Sequence, residues 1–214
     1  KQLETIKLQN DVLSPKNIIP FASFIYFAHE ENFYMNDSIN TPEVVEEYIN
    51  KNLNVDSIWL KPNENWVVGD NKDNEESINY WMEFYSNLQT LPKIKSLKTY
   101  SLNELEEKYA TYFKKIKSRN NFILVYIYNL IFGKKVSLYL HDIDKHIEIG
   151  LLSGIKALNN NTEKYIKLHT ESLAFIFDFD FGIDTFAVAA RFESSEDIFN
   201  DFTKTFAIGE LNNT

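Results

Sequence analysis

Pro15-Lys16-Asn17-Ile18-Ile19-Pro20-Phe21-Ala22-Ser23-Phe24-Ile25-Tyr26-Phe27 runs into Ala28-His29-Glu30-Glu31-Asn32-Phe33-Tyr34-Met35-Asn36-Asp37. The first part is apolar, β-branched and aromatic, which suits a buried strand over residues 17–26. The second part is polar and rich in His, Asn, Tyr and Asp. Folds place chemistry in the loops at strand exits, so His29, Asn32, Tyr34, Asn36 and Asp37 are candidate substrate-binding residues. Composition reads the same cluster equally well as a hydrogen-bonded loop.

Working outward, residues 1–14 read as the end of a helix, with Leu3, Ile6 and Leu13 on one side, stopped by Pro15. Residues 30–40 read as a loop. Thr41-Pro42-Glu43 opens a helix to about Asn52, with Thr as cap, Pro in the first turn and an acid favoured by the helix dipole. Residues 57–60 and 66–68 read as short strands. The acidic stretch 70–76 is a domain boundary. Ile78, Trp81, Met82, Tyr85 and Leu88 then form a helical stripe. Ser101-Leu102-Asn103-Glu104 is a capping box for a helix through Lys117, and a very apolar helix over 120–132 ends at Gly133.

Beyond Gly133, residues 136–141 and 146–149 read as a hairpin, 165–168 as a strand, and Thr170-Glu171-Ser172 as the cap of a short helix. Phe177, Phe179 and Phe181 alternate with Asp178 and Asp180, which a strand would place on one side. Gly182-Ile183-Asp184 reads as a turn, 185–192 as a strand, and Ser194-Ser195-Glu196 as the cap of a helix to about Phe206. The expected class is α+β in three parts: 1–74, a helical linker 75–132, and a module 133–214.

Composition narrows the function. Hydrophobic residues at 44% support a packed core. The 17 Phe and 12 Tyr suit either a Phe-rich core or an apolar ligand pocket. A net charge of −9 argues against nucleic acid and anionic membranes, whose phosphates need cations. Lys114, Lys115, Lys117 and Arg119 read as a solvated helix face. The lack of cysteine removes thiolate nucleophiles, Zn–Cys sites and disulfides; a cytoplasmic location is expected. No run approaches the roughly 20 apolar residues of a membrane span. The opening Lys1-Gln2-Leu3-Glu4, with neither Met nor a leader-like run, suggests a fragment. His141 and His146 flank a hairpin turn instead of sharing a helix face, and no His-Glu-x-x-His or Gly-x-Ser-x-Gly occurs.

The stretch from Pro15 to Phe27, with Glu31-Asn32, Tyr34-Met35-Asn36-Asp37, Trp59-Leu60-Lys61-Pro62 and Trp66, resembles the closing strand of metallo-β-lactamase-fold hydrolases. It is closest to their nucleotide-sugar hydroxylase-like subgroup, and the resemblance covers roughly residues 1–70. It implies a partial β-α-β unit of that fold. The family's dinuclear metal centre is built mostly by an N-terminal half carrying His-x-His-x-Asp-His, a motif not in this chain. The sequence also departs where many members place a late ligand histidine, continuing instead as Phe21-Ala22-Ser23.

The second half has a resemblance of its own. Residues 136–143, His169-Thr170-Glu171-Ser172-Leu173, 181–188 and Arg191-Phe192 are together similar to a sterol-carrier-protein-2-like module, over about 120–214. That resemblance implies an apolar tunnel between sheet and helices, which Leu173, Phe175, Ile176, Phe186 and Val188 would line or simply fill. The expected cavity is roofed by 120–132 and floored by 136–140 and 185–192.

The expectation is thus the C-terminal region of a metal-dependent hydrolase, contributing substrate-pocket residues and an apolar-ligand or dimerisation module. The alternative is a non-enzymatic lipid- or protein-binding module. No cofactor is expected in this chain itself. A divalent metal (zinc, iron or manganese) goes with the missing N-terminal half. The expected partners are that half, an apolar small molecule and a second copy in a homodimer.

Overall fold

A computed structural model describes residues 2–21, 26–159 and 162–209 of the chain. It is a mixed α and β structure. It divides into two compact units, one from residues 1–28 and 33–93, the other from 29–32 and 94–214. The stretch 75–132, read from sequence as one linker, is shared between them.

The first unit begins with α1 (Gln2–Leu13), β1 (Asn17–Ile18), α2 (Pro42–Asn52), β2 (Asp56–Ser57) and α3 (Glu75–Ser86). Strands β1 and β2 are parallel. Parallel neighbours need a crossover, and α2 supplies it, capped by Thr41 with Pro42 in its first turn. The core is Val45, Ile49 and Trp59, with Leu3, Ile6, Ile18 and Ile78 packed against it. Trp59 is fully buried. Its indole Nε1 donates to Glu46 Oε2 at 2.7 Å, which satisfies the group that burial would otherwise orphan.

Several sequence expectations fail in this unit. The strand expected over 17–26 is formed only at Asn17–Ile18, and residues 22–25 lie outside the described residues. Phe21 beyond it is exposed, so apolar composition there does not mark a buried strand. Residues 66–68 form no strand, and Val67 and Val68 are exposed. Phe33–Ser38, read as loop, is a 3-10 helix.

The second unit contains α4 (Leu102–Arg119), α5 (Phe122–Phe132), β3 (Val136–Leu140), β4 (Lys145–Gly150), β5 (Gly154–Ala157), β6 (Ile166–Leu168), α6 (Thr170–Asp178), α7 (Gly182–Ala189), β7 (Phe192–Glu193) and α8 (Glu196–Phe206). The sheet order is β5-β4-β3-β6-β7, antiparallel except for the parallel pair β3 and β6. Alternation decides which face is dry: Val136, Leu138 and Leu140 of β3 and Ile166 and Leu168 of β6 are buried. They join Leu105 and Tyr109 of α4, Leu173 and Ile176 of α6, and Phe202 and Phe206 of α8 in one core. Ser101 and Glu104 form the expected capping box of α4.

Residues 177–181 and 185–192 do not form the expected strands. They belong largely to α6 and α7, where Ile183 and Phe186, one helical turn apart, face the core. Asp178 and Asp180 therefore share no strand face. Asp178 pairs with Lys108 at 2.6 Å, and Asp180 with Lys115 and Arg119 of α4, so part of the basic face read as solvated is taken up by these acids. The chain turns between α6 and α7 at Gly182, where a Cβ would come within 2.5 Å of the Ile176 carbonyl oxygen. Helix α5 packs against α8 through Tyr128, whose hydroxyl donates to the Lys204 carbonyl. Most of its surface, including Ile123, Leu124, Leu130 and Ile131, is exposed. Its inward side is occupied by Val125, a fully buried core residue.

Glu64 offers a check on the first unit. Lys72 (2.6 Å), Ser77 (2.6 Å) and the Lys61 amide (3.0 Å) all donate to its carboxylate, with Lys72 the strongest influence, and lower its pKa from 4.5 to about 2. A carboxyl held low stabilises the fold above its ordinary pKa and loses that contribution as pH falls toward its folded value. The Glu64→Gln variant is expected to be less stable than the parent by about 1–2 kcal/mol at pH 7, allowing for partial solvent screening. The gap should close between about pH 4.5 and 2. Urea titrations across that range check it.

Candidate functional site: a pocket beside Arg191

The second unit holds a half-open pocket of about 170 Å³ lined by His29, Asn32, Ser172, Phe175, Thr185, Phe186, Ala189 and Arg191. Two sequence-predicted sets meet here: His29 and Asn32 from the polar cluster, Phe175 and Phe186 from the apolar one. Residues 29–32 are anchored from several sides. His29 bridges to Ile94, and the Glu30 amide donates to the Ile94 carbonyl at 3.0 Å. Asn32 accepts from the His29 amide at 3.1 Å and donates to the Ala189 carbonyl at 2.6 Å. That carbonyl lies in the last turn of α7, where helical C=O groups lack internal partners. Ala190 follows with a positive φ of 50°, the left-handed turn that ends the helix and leads into Arg191.

Arg191 is the centre of the site's electrostatics. Its Nε donates to Glu31 Oε2 at 2.7 Å, and its Nη2 to Ser96 Oγ at 2.6 Å and Glu171 Oε2 at 3.0 Å. Burial alone would raise the Glu171 pKa, but the hydrogen bond and charge of Arg191 outweigh it, and the carboxyl ends below its ordinary 4.5. Burial and the same guanidinium hold His29 below its ordinary 6.5 despite the opposing Glu31 and Glu171, so the ring is neutral at pH 7. On its other side Arg191 lines a second, more charged pocket of about 250 Å³ with Glu30, Glu31, His141, Lys167 and Glu193.

Two atoms of residues that line the smaller pocket stand out. His29 Nδ1 and Ser172 Oγ are both buried and have no hydrogen-bond partner. An unmade hydrogen bond at a buried polar group is costly, and a native fold rarely leaves two in one place without a use. Ser172 is only 4% exposed. It is set in the first turn of α6, whose start is fixed by His169: the ring Nδ1 accepts from the Glu171 amide at 3.1 Å. Asp142 in turn accepts from the Thr170 amide (3.0 Å) and hydroxyl (2.6 Å). His169, not Thr170, is thus the cap residue.

The remaining predicted residues are placed elsewhere. Tyr34, Asn36 and Asp37 belong to the first unit. Tyr34 and Asp37 are exposed, and the buried Asn36 amide is consumed by Phe27 N, Phe27 O and Phe33 O. Leu173 and Ile176 are core residues, and Val188 is exposed. His141 lies 3.5 Å from Glu31, whereas His146 stacks on Tyr139. The sequence reading placed Ser172 in a helix cap and Glu31 and Arg191 in the stretches that carry the resemblances, and gave none of them a site role. The available signal was that Arg191 is one of two arginines in a chain whose other cations are lysines, and arginine is the residue suited to holding two carboxylates at once.

The metallo-β-lactamase resemblance implies a divalent metal, but among the described residues no group of three or more His, Asp or Glu is placed to hold one. The nearest approaches are pairs, His141 with Glu31 and His169 with Asp142, and both carboxylates are already engaged by Arg191 and Thr170. The described residues do not fit a metal centre. Among the described residues no helix is long and apolar enough to cross a membrane. Comparison with protein-family models, curated proteins and solved structures finds no match.

Arg191→Met would leave Glu31 and Glu171, 17% and 26% exposed, facing each other without a cation. The expected loss at pH 7 is about 3 kcal/mol, the usual consequence of breaking a largely buried pair from one side. The contribution of Glu171 is complete above its ordinary 4.5 and is lost as pH falls toward its lower folded value. The difference between parent and variant should therefore shrink as pH falls below that value. Denaturant titrations at pH 7 and pH 4 measure it.

Proposed function

We propose that this chain supplies the substrate-side region of a metal-dependent hydrolase of the metallo-β-lactamase type, and that its own contribution is the pocket beside Arg191. The observation that carries the pocket reading is the pairing of two unpartnered buried polar atoms, on His29 and Ser172, with the apolar walls of Phe175 and Phe186. Ligand sites characteristically combine a largely apolar lining with a few convergent polar groups. The hydrolase part rests on the resemblance over residues 1–70 and agrees with a parallel β1-α2-β2 unit in that stretch. The volume favours a ring-sized or short-chain group over a long acyl chain, since an apolar cavity of about 150 Å³ is filled by benzene.

A non-enzymatic ligand-binding module is the second reading. It is favoured by how fully the neighbouring polar groups are occupied: Arg191, Glu31, Glu171 and Asn32 are tied to one another, to Ser96 or to backbone. Such groups position a ligand and are poorly placed to exchange protons with it.

The test uses Ala189→Phe, which fills the pocket from α7. Toluene is expected to raise the melting temperature of the parent saturably and to leave the variant unmoved; no shift in the parent removes the pocket reading. If the full-length gene product hydrolyses a substrate, the same variant is expected to raise KM about tenfold or more with kcat less affected. An unchanged KM would leave the non-enzymatic reading.

A further inference from the structure

The electrostatics of the pocket specify its ligand more closely. The five polar residues of its lining differ in what they have left to offer, and Thr185 among them is exposed to solvent. Asn32 is spent on the His29 amide and the Ala189 carbonyl. Arg191 carries a full charge, but two carboxylates already face it, so its attraction for a third anion is cancelled at short range. With its charge balanced, it offers a buried ionic group nothing to offset desolvation, which disfavours ligands of either sign. What is left among the buried groups is the hydroxyl of Ser172, able to donate and accept, and Nδ1 of His29. Around them stand the rings of Phe175 and Phe186.

Building on the pocket reading above, we infer that this site takes a neutral, ring-sized molecule bearing one group that both donates and accepts hydrogen bonds, such as a phenolic hydroxyl or a primary amide, held by Ser172 and His29. An uncharged solute matches a wall whose positive charge is already balanced. A donor–acceptor head completes the two atoms that the fold leaves unmade. The neutral state of the His29 ring at pH 7 agrees with this.

Four probes of one size and different chemistry separate the possibilities: phenol, toluene, benzoate and benzylamine, titrated at pH 7 with ligand-observed NMR. Phenol is expected to bind about tenfold more tightly than toluene, the effect of one well-made hydrogen bond, with benzoate and benzylamine weaker than either. Ser172→Ala removes a hydroxyl that has no partner in the fold, so the variant is expected to fold normally, and phenol should fall to the level of toluene. His29→Leu should reduce phenol binding in the same direction. If toluene equals or exceeds phenol in the parent, the pocket stands but the donor–acceptor class is wrong. If benzoate or benzylamine binds best, the neutral class is wrong. If none of the four binds, both this inference and the pocket reading are overturned.

Discussion

One guanidinium holds together parts of the second unit that the sequence keeps far apart. Arg191 takes Glu31 from the short segment 29–32, Ser96 from the segment leading to α4, and Glu171 from the first turn of α6. Each contact is charge-assisted or accepts from a cation, and such bonds are shorter and stronger than neutral ones. A lysine could not replace it: the directions to Glu31 and Ser96 use different nitrogens of a rigid fork.

The pocket is a by-product of that arrangement. Once residues 29–32 are pinned, Asn32 reaches the end of α7, and His29 is brought beside Ser172 and the two phenylalanines. Gly182 makes the same point in backbone terms. The closeness of the α6–α7 junction, which admits no Cβ, sets where Phe186 and Ala189 stand relative to Phe175. The two pockets on either side of Arg191 accordingly have different characters. One is walled by aromatic rings and has unsatisfied atoms; the other is walled by charges that mostly satisfy each other.

Local signals in the sequence were read well where local physics decides the structure. The Thr41-Pro42 helix start, the Ser101–Glu104 capping box and the β3–β4 hairpin all depend on contacts within a few residues. The failures occur where tertiary packing overrides pattern. The Phe–Asp alternation over 177–181 mimics a strand, yet α4 supplies three cations that tie Asp178 and Asp180 down at a helix end. Residues 185–189 are equally ambiguous in periodicity, and packing against the core selects helix. Half of the pocket was legible as a polar cluster and an apolar cluster, but not that they meet. Their meeting depends on Arg191 and Asn32, each of which has one partner more than 150 residues away in the chain.

That separation has a consequence for the order of assembly. Asn32 and Ala189 are 157 positions apart, and Glu31 and Arg191 are 160 apart. Contacts of such long range carry the loop-closure entropy of everything between, and a topology rich in them folds more slowly. During synthesis, which releases the N-terminal side first, residues 29–32 leave the ribosome with no partner for the Glu31 carboxylate or the Asn32 amide. The bonds from Asn32 to Ala189 and from Arg191 to Glu31 must wait until α7 and Arg191 have emerged. The pocket therefore cannot close before Arg191 has emerged, and β7 and α8, whose Phe202 and Phe206 complete the core, emerge later still.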